Sequence, residues 1–450
     1  MRFGCHRFFD SPPGKLLQRR KRKRIMFSFW LSGIEPRQKS SMPEGDKIEI
    51  QRQLSEMMAR AGRRPFRGPV AMRLRIHTTA RNPTHSHHIA KNLLDLFGKT
   101  MVGRSRSILY HDDQQVHALS VVCTHGGEAR ADNDAVEKYA TIAGDIRPLR
   151  HLLEDLAIGM EVEQAREESD AMSHEMDFEH VIEHYIGVRK DKLSYTSIMD
   201  DASYAHYLRS AQQRAQELYL SRHRLAVRDL HHLFQQREPG PTNIDIADLW
   251  ERVFAMSPLR IKLSELPQEK DSSKIWKAEI ERKLKQFQAK HDWLFSPMLT
   301  PVALEVVIRP PAPSRIKALH DLDNVLRTYL MPKILEILQP ISDHAFTVDF
   351  DALARRLNAP DVPAGFAEWV RARKTPPAST RIGVIRYDAW RLPPAADGEK
   401  GFVSVALVSD MTGHNGVTQR LDRLGRLGRG GEKWGLSAIY PSPLLTSLAF

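Results

Sequence analysis

Asp321, Leu322, Asp323 and Asn324 close a short extended run and open an apolar helix, with Arg327 one turn further on and Asp343 beyond the helix. Alternation along an extended run sets Asp321 and Asp323 on the same side. The helix start beside them offers free N–H groups and a positive dipole end to a phosphate. Carboxylates at this spacing suit one or two Mg²⁺ ions, which take oxygen ligands, activate water and stabilise a leaving oxygen. Arg327 is placed to neutralise charge developing on phosphorus oxygens. The plainer alternative is an aspartate N-cap with a solvated neighbour, the usual meaning of an Asp-rich helix start.

The elements that must position these residues occur twice. Phe27, Phe29 and Leu31 alternate as a strand, a turn follows at Pro36, and Ile50, Leu54, Met57 and Met58 mark one face of a helix. Gly68-Pro69-Val70 then leads a second strand with Met72, Leu74 and Ile76 inward. The same order returns with Leu259, Ile261 and Leu263, a turn at Pro267, a helix at about Lys274 to Phe287, and Pro301-Val302-Ala303 before Leu304, Val306 and Ile308. Constant spacing across both strands implies an internal duplication. In the first copy the aspartate run is replaced by His85, Ser86, His87 and His88, with Lys91 in the basic position. An acidic turn survives there as Tyr110-His111-Asp112-Asp113-Gln114-Gln115-Val116.

HDLDNVLRTYLMPKILEIL followed by SD resembles the core of the RusA-type Holliday-junction resolvases, homodimeric Mg²⁺-dependent endonucleases of DNA recombination and repair. The resemblance covers about 27–125 and 259–410. It implies that Asp321, Asp323 and Asp343 are metal ligands supported by Asn324, and that Arg327 stands where the family has a catalytic lysine. Arg for Lys keeps the charge but not the compact ammonium. Fusing two protomers of a homodimer makes a pseudo-dimer from one chain. The implied fold is α+β: two mixed-sheet units with flanking helices, separated by a mostly helical region.

The first copy then retains only a remnant: Asp112, Asp113, Lys91, His85 and His87. Its histidines read as a lost site, as contacts to DNA phosphates when protonated, or, with Asp113, as ligands for a softer metal such as Mn²⁺ or Zn²⁺. A composite site joining Asp112 and Asp113 to Asp321 and Asp323 is a further alternative. It requires those carboxylates to lie within shared-metal reach. The strand expected directly after Asp343 is displaced to Arg381, which makes Asp349 and Asp351 substitutes for the third acid.

The remaining chain divides into a basic disordered arm (1–25), first unit (26–130), helical middle region (131–256), second unit (257–412, with an insertion at about 349–376) and a basic, glycine-rich tail (413–450). Ile382 to Tyr387 and Val403 to Leu407 read as a hairpin across Asp397-Gly398. The arm ends in Arg19, Arg20, Lys21, Arg22, Lys23 and Arg24, a candidate contact to DNA phosphates, with Met26 as an alternative start. A formal net charge of +12 over 450 residues favours a polyanionic partner. Two cysteines cannot build a disulfide framework, and no apolar run approaches membrane-spanning length, so a cytoplasmic setting is expected. The function expected is Mg²⁺-dependent cleavage of branched or four-way DNA, with Mn²⁺ as the alternative ion and further dimerisation of the chain open. The rival is a catalytically inactive RusA-like DNA-binding or scaffolding protein; a third reading is a partner-binding module built on the middle region.

Overall fold

A computed structural model describes residues 10–22, 26–80, 84–98, 107–125, 140–170, 174–222, 225–235, 245–257, 259–268, 272–295, 298–300, 302–315, 321–338, 384–409 and 421. The fold is α+β. Its strands are β1 (Phe27–Ser32), β2 (Val70–Thr78), β3 (Val116–His125), β4 (Thr141–Pro148), β5 (Arg260–Leu263), β6 (Val302–Arg309), β7 (Val384–Arg391) and β8 (Phe402–Ser409). They form one eight-stranded sheet in the order β1-β4-β2-β3-β7-β6-β8-β5.

That order reads the same from either edge. β2 is parallel to β3 and antiparallel to β4, and β6 is likewise parallel to β7 and antiparallel to β8. Both parallel ladders slip at the corresponding place, Val70/Ala71 and Val302/Ala303. The halves join through antiparallel β3 and β7, with Ser120 opposite Asp388 at the local twofold.

Local chemistry explains the elements. β1 alternates buried and exposed residues, as an edge strand packed on one face should. β6, in the interior of the sheet, is buried at every position. Helix α1 (Pro12–Arg22) precedes β1, and α2 (Glu44–Arg60) carries acids in its first turn and buries Ile50, Leu54 and Met58. α3 (Ser86–Gly98) buries Ile89, Leu93, Leu96 and Phe97 against the same core. The middle helices are α4 (Leu149–Asp170), α5 (His174–Lys190), α6 (Lys192–Ile198), α7 (Asp201–Arg222), α8 (Val227–Phe234) and α9 (Ile246–Met256). α4, α8 and α9 enclose a second core with Val307, Trp390 and Phe402 on the opposite face of the sheet. In the second half follow α10 (Ser272–Lys290), α11 (Asp292–Phe295), α12 (Leu322–Val325), a π-helical turn at Leu326–Leu330 and α13 (Met331–Ile337).

Several expectations are corrected. The arm is not disordered throughout: α1 buries Leu16 and Leu17, and Arg19 ion-pairs with Glu154 and donates to its carbonyl at 3.0 Å. Arg20, Lys21 and Arg22 belong to α1, while Lys23 and Arg24 lie outside the described residues. The region expected to be helical between the units begins with β4, which fills the position between β1 and β2. The turn at Asp397-Gly398 exists, with Gly398 at φ 85°, but β7 and β8 are not a hairpin, because β6 lies between them. Their connection crosses the end of β6, where Ala395 N–H donates to the Pro310 carbonyl at 2.9 Å. A Cβ on Gly401 would stand 2.5 Å from the Arg309 carbonyl oxygen, so glycine permits that crossing. The insertion at about 349–376 and the tail, Leu421 excepted, lie outside the described residues.

At the junction Arg386, 1 % exposed, donates from Nη2 to both oxygens of Asp388, at 2.9 and 3.2 Å. Removing one partner of such a pair leaves a buried charge uncompensated. Asp388→Ala is expected to cost about 3–5 kcal/mol, measured by chemical denaturation of the full chain; Asp397→Ala, at the exposed turn, serves as the mild comparison.

Candidate metal centre

The β3–β7 register sets the start of β3 beside the end of β7. The acidic turn of the first half precedes β3. Asp112 caps a short 3₁₀ turn (Asp113–Gln115): its Oδ1 accepts from Gln114 N–H at 2.9 Å, and Gln115 Oε1 accepts from the N–H groups of Asp112 at 3.0 Å and His111 at 2.7 Å. Gln115 Nε2 donates to the carbonyls of Phe66 (3.1 Å) and Gly68 (2.8 Å), tying the turn to the approach of β2.

The aspartates of the second half arrive from the other side. Asp321 stands at the N-cap position of α12, yet its carboxylate makes no capping hydrogen bond. Its Oδ2 accepts from Asn324 Nδ2 at 2.8 Å, and its buried Oδ1 has no hydrogen-bond partner among the described residues. One ligand oxygen from each of Asp112, Asp113 and Asp321 lies within 4.8 Å of the others. An unpartnered carboxylate oxygen and all-oxygen donors fit a hard divalent cation such as Mg²⁺ or Mn²⁺.

Lys91 enters between the halves. Its Nζ lies 2.8 Å from Asp323 Oδ2, 2.9 Å from Asp113 Oδ2 and 3.0 Å from Asp95 Oδ1. The contact with Asp323, which is 4 % exposed, is an ion pair without a well-directed hydrogen bond. Burial pulls the Lys91 ammonium down, but Asp323, Asp113 and Asp95 together hold it above its ordinary value. Burial raises the Asp321 carboxyl, Asp113 and Asp323 push it further, and Lys91 and Asn324 oppose them. Asp323 is also raised, chiefly by burial, against the pull of Lys91.

The cations have therefore changed places relative to expectation. Arg327 is exposed and acts electrostatically on His87 and His88, whereas the ammonium beside Asp323 belongs to the first half. The local twofold is the reason: α3 and α12 pack together, so a cation one turn into each half reaches the helix start of the other. Asp343 and its substitutes Asp349 and Asp351 lie outside the described residues; among the described residues, the acids that meet Asp321 are Asp112 and Asp113 of the first half.

The histidines do not gather around Asp113, which turns to Lys91. They lie against one another, His85 stacked on His87 at 5.7 Å and His88 tilted against His87 at 4.2 Å between ring centroids. His87 is 3 % exposed, and burial, with smaller contributions from His88, His85 and Arg327, pushes its pKa down to about 3. It is neutral at physiological pH, which removes it as a cationic phosphate contact.

Sequence reasoning passed over Arg391, at the end of β7. It is 2 % exposed, and its Nη1 donates to the Gln114 carbonyl at 3.2 Å. Burial lowers its pKa, against the attraction of Asp321, Asp323 and Asp113. Its one sequence signal is an arginine ending a strand directly after the apolar Ala389 and Trp390.

An acid whose pKa is raised on folding favours the native state while protonated and opposes it once ionised. Stability contributed through Asp321 is thus present at low pH and lost as pH rises through its elevated folded value. In EDTA, Asp321→Asn is expected to melt above the wild type near neutral pH, with the difference closing below the ordinary carboxylate value of 3.8. Thermal melts across the acid range check this.

Comparison with protein-family models, with curated proteins and with solved structures finds no match to this chain.

Proposed function

We propose that the protein is a divalent-metal-dependent endonuclease acting on branched DNA, related to the RusA-type resolvases and carrying one working site per chain. The observation that supports this most is the convergence of Asp112 and Asp113 from one half with Asp321 from the other, within 4.8 Å. Sharing among carboxylates from two halves explains why acids missing from the first copy do not leave its acidic turn idle. The net charge of +12 suits a polyanionic substrate.

Asp112, Asp113 and Asp321 would hold Mg²⁺, or Mn²⁺ in its place, with Asp323 beside them. Such an ion, when bound, activates water and stabilises the leaving oxygen of a phosphodiester. Asn324 orients Asp321 through its 2.8 Å hydrogen bond. Lys91, held beside Asp323 and Asp113, would supply a compact positive charge toward the scissile phosphate. This is the role the sequence pattern assigns to Arg327. Among the described residues the twofold-related place holds His87, His88 and Arg327 and no carboxylates, so a single chain would nick one strand.

A second reading has a specific observation in its favour. Lys91 and Arg391 already offset part of the acidic charge, as in a structural ionic cluster at the junction of a DNA-binding protein without catalysis.

A supercoiled cruciform plasmid with Mg²⁺ separates the two. The nuclease yields nicked circles, and linear product appears only at concentrations where the chain self-associates. Asp321→Asn with Asp323→Asn abolishes cleavage and divalent-metal binding, and Lys91→Met lowers the cleavage rate by about 10²–10³-fold. DNA binding with no metal dependence and no cleavage supports the ionic-cluster reading instead. Paired, simultaneous cuts by a monomer contradict the single site.

A further inference from the structure

We propose that Arg391 is the positioning residue that holds the acidic turn of the first half against the aspartates of the second; the inference deepens the metal-centre reading and rests on it. Arg391 and the turn come from different halves, and only the β3–β7 ladder makes them neighbours, with Ala118 opposite Trp390 one step away. The guanidinium grips Gln114 through its carbonyl at 3.2 Å, and the N–H of that same residue donates to Asp112 Oδ1 at 2.9 Å. A shift of Gln114 therefore moves a ligand carboxylate directly. Gln115 anchors the turn to the strand β2 side, and Arg391 anchors it to the β7 side.

Two further observations point the same way. Asp113, Asp321 and Asp323 all act on the Arg391 charge, so it lies within the field of the site from both halves. The strand register also identifies its counterpart: Ile76 pairs with Cys123 as Ile308 pairs with Arg391. A cation thus stands at the strand end beside the acidic turn, while the matching position on β3 carries a thiol. Burial to 2 % and a planar donor fork aimed at a backbone carbonyl suit arginine better than lysine.

The test measures Mn²⁺ affinity of the full chain by electron paramagnetic resonance. Arg391→Gln is expected to weaken binding about tenfold, in the range found for residues that orient metal ligands. Merely deleting a cation beside a divalent ion would tighten binding, so the sign separates positioning from charge. On a background of Asp112→Asn with Asp113→Asn the same substitution is expected to add less than about twofold, since it acts through those carboxylates. Arg391→Lys restores part of the loss. Unchanged or tighter binding in Arg391→Gln, or an equal loss in both backgrounds, overturns the proposal. Amide hydrogen exchange of residues 111–116 in the metal-free chain provides a readout independent of metal. Faster exchange in Arg391→Gln supports the proposal and unchanged exchange overturns it, even if the wild-type chain binds no Mn²⁺ and the metal-centre reading itself falls.

Discussion

The antiparallel ladder between β3 and β7 is the constraint on which the rest depends. It converts two four-stranded arrangements into one sheet and sets Ser120 opposite Asp388 at the local twofold. Because strands carry fixed registers, this pairing decides which ends meet: the turn leading into β3 lies beside the last residue of β7. A slip of one residue would turn the side chains to the other face and take Arg391 from Gln114. The buried Arg386–Asp388 pair lies within β7 in that ladder, so the strand brings compensated charges into the junction.

The ladder delivers an electrostatically costly cluster. Asp321 and Asp323 are raised by burial, and Lys91 is shared among three carboxylates. Sites of this kind spend stability on function, and titratable groups displaced from their ordinary values are concentrated where charge must be handled. Asp321, with one oxygen held by Asn324 and the other unpartnered, shows the point on a single side chain. A plain N-cap would have turned that carboxylate to the helix N–H groups, and it does not.

The two ends of the junction differ in chemistry while sharing a strand register. Each half sends a helical cation across to the other: Lys91 reaches an aspartate, and Arg327 reaches histidines that burial keeps neutral. The strand ends differ in parallel, Arg391 on one side and Cys123 on the other.

Much of the architecture was legible in residue order. The alternation of Phe27, Phe29 and Leu31, the spacing of Ile50, Leu54 and Met58, and their return after Leu259 specify elements through local periodicity, which needs no knowledge of partners. Asp112, Asp113, Lys91, Asp321 and Asp323 were recognisable one by one for the same reason. Their grouping was legible only as one alternative among several, the composite site joining Asp112 and Asp113 to Asp321 and Asp323, which spacing could not select. Which acid completes the set around Asp321, which cation stands beside Asp323, and why β7 pairs with β3 instead of β8 all depend on hydrogen-bond ladders between strands far apart in the chain. Local spacing carries no record of such pairings, so it could not show that Lys91 stands beside Asp323, and it overlooked Arg391. The residues that could do chemistry were determined by the sequence alone; their company was decided by the tertiary structure, because a twofold junction places the start of each half's helix next to the other half's side chains.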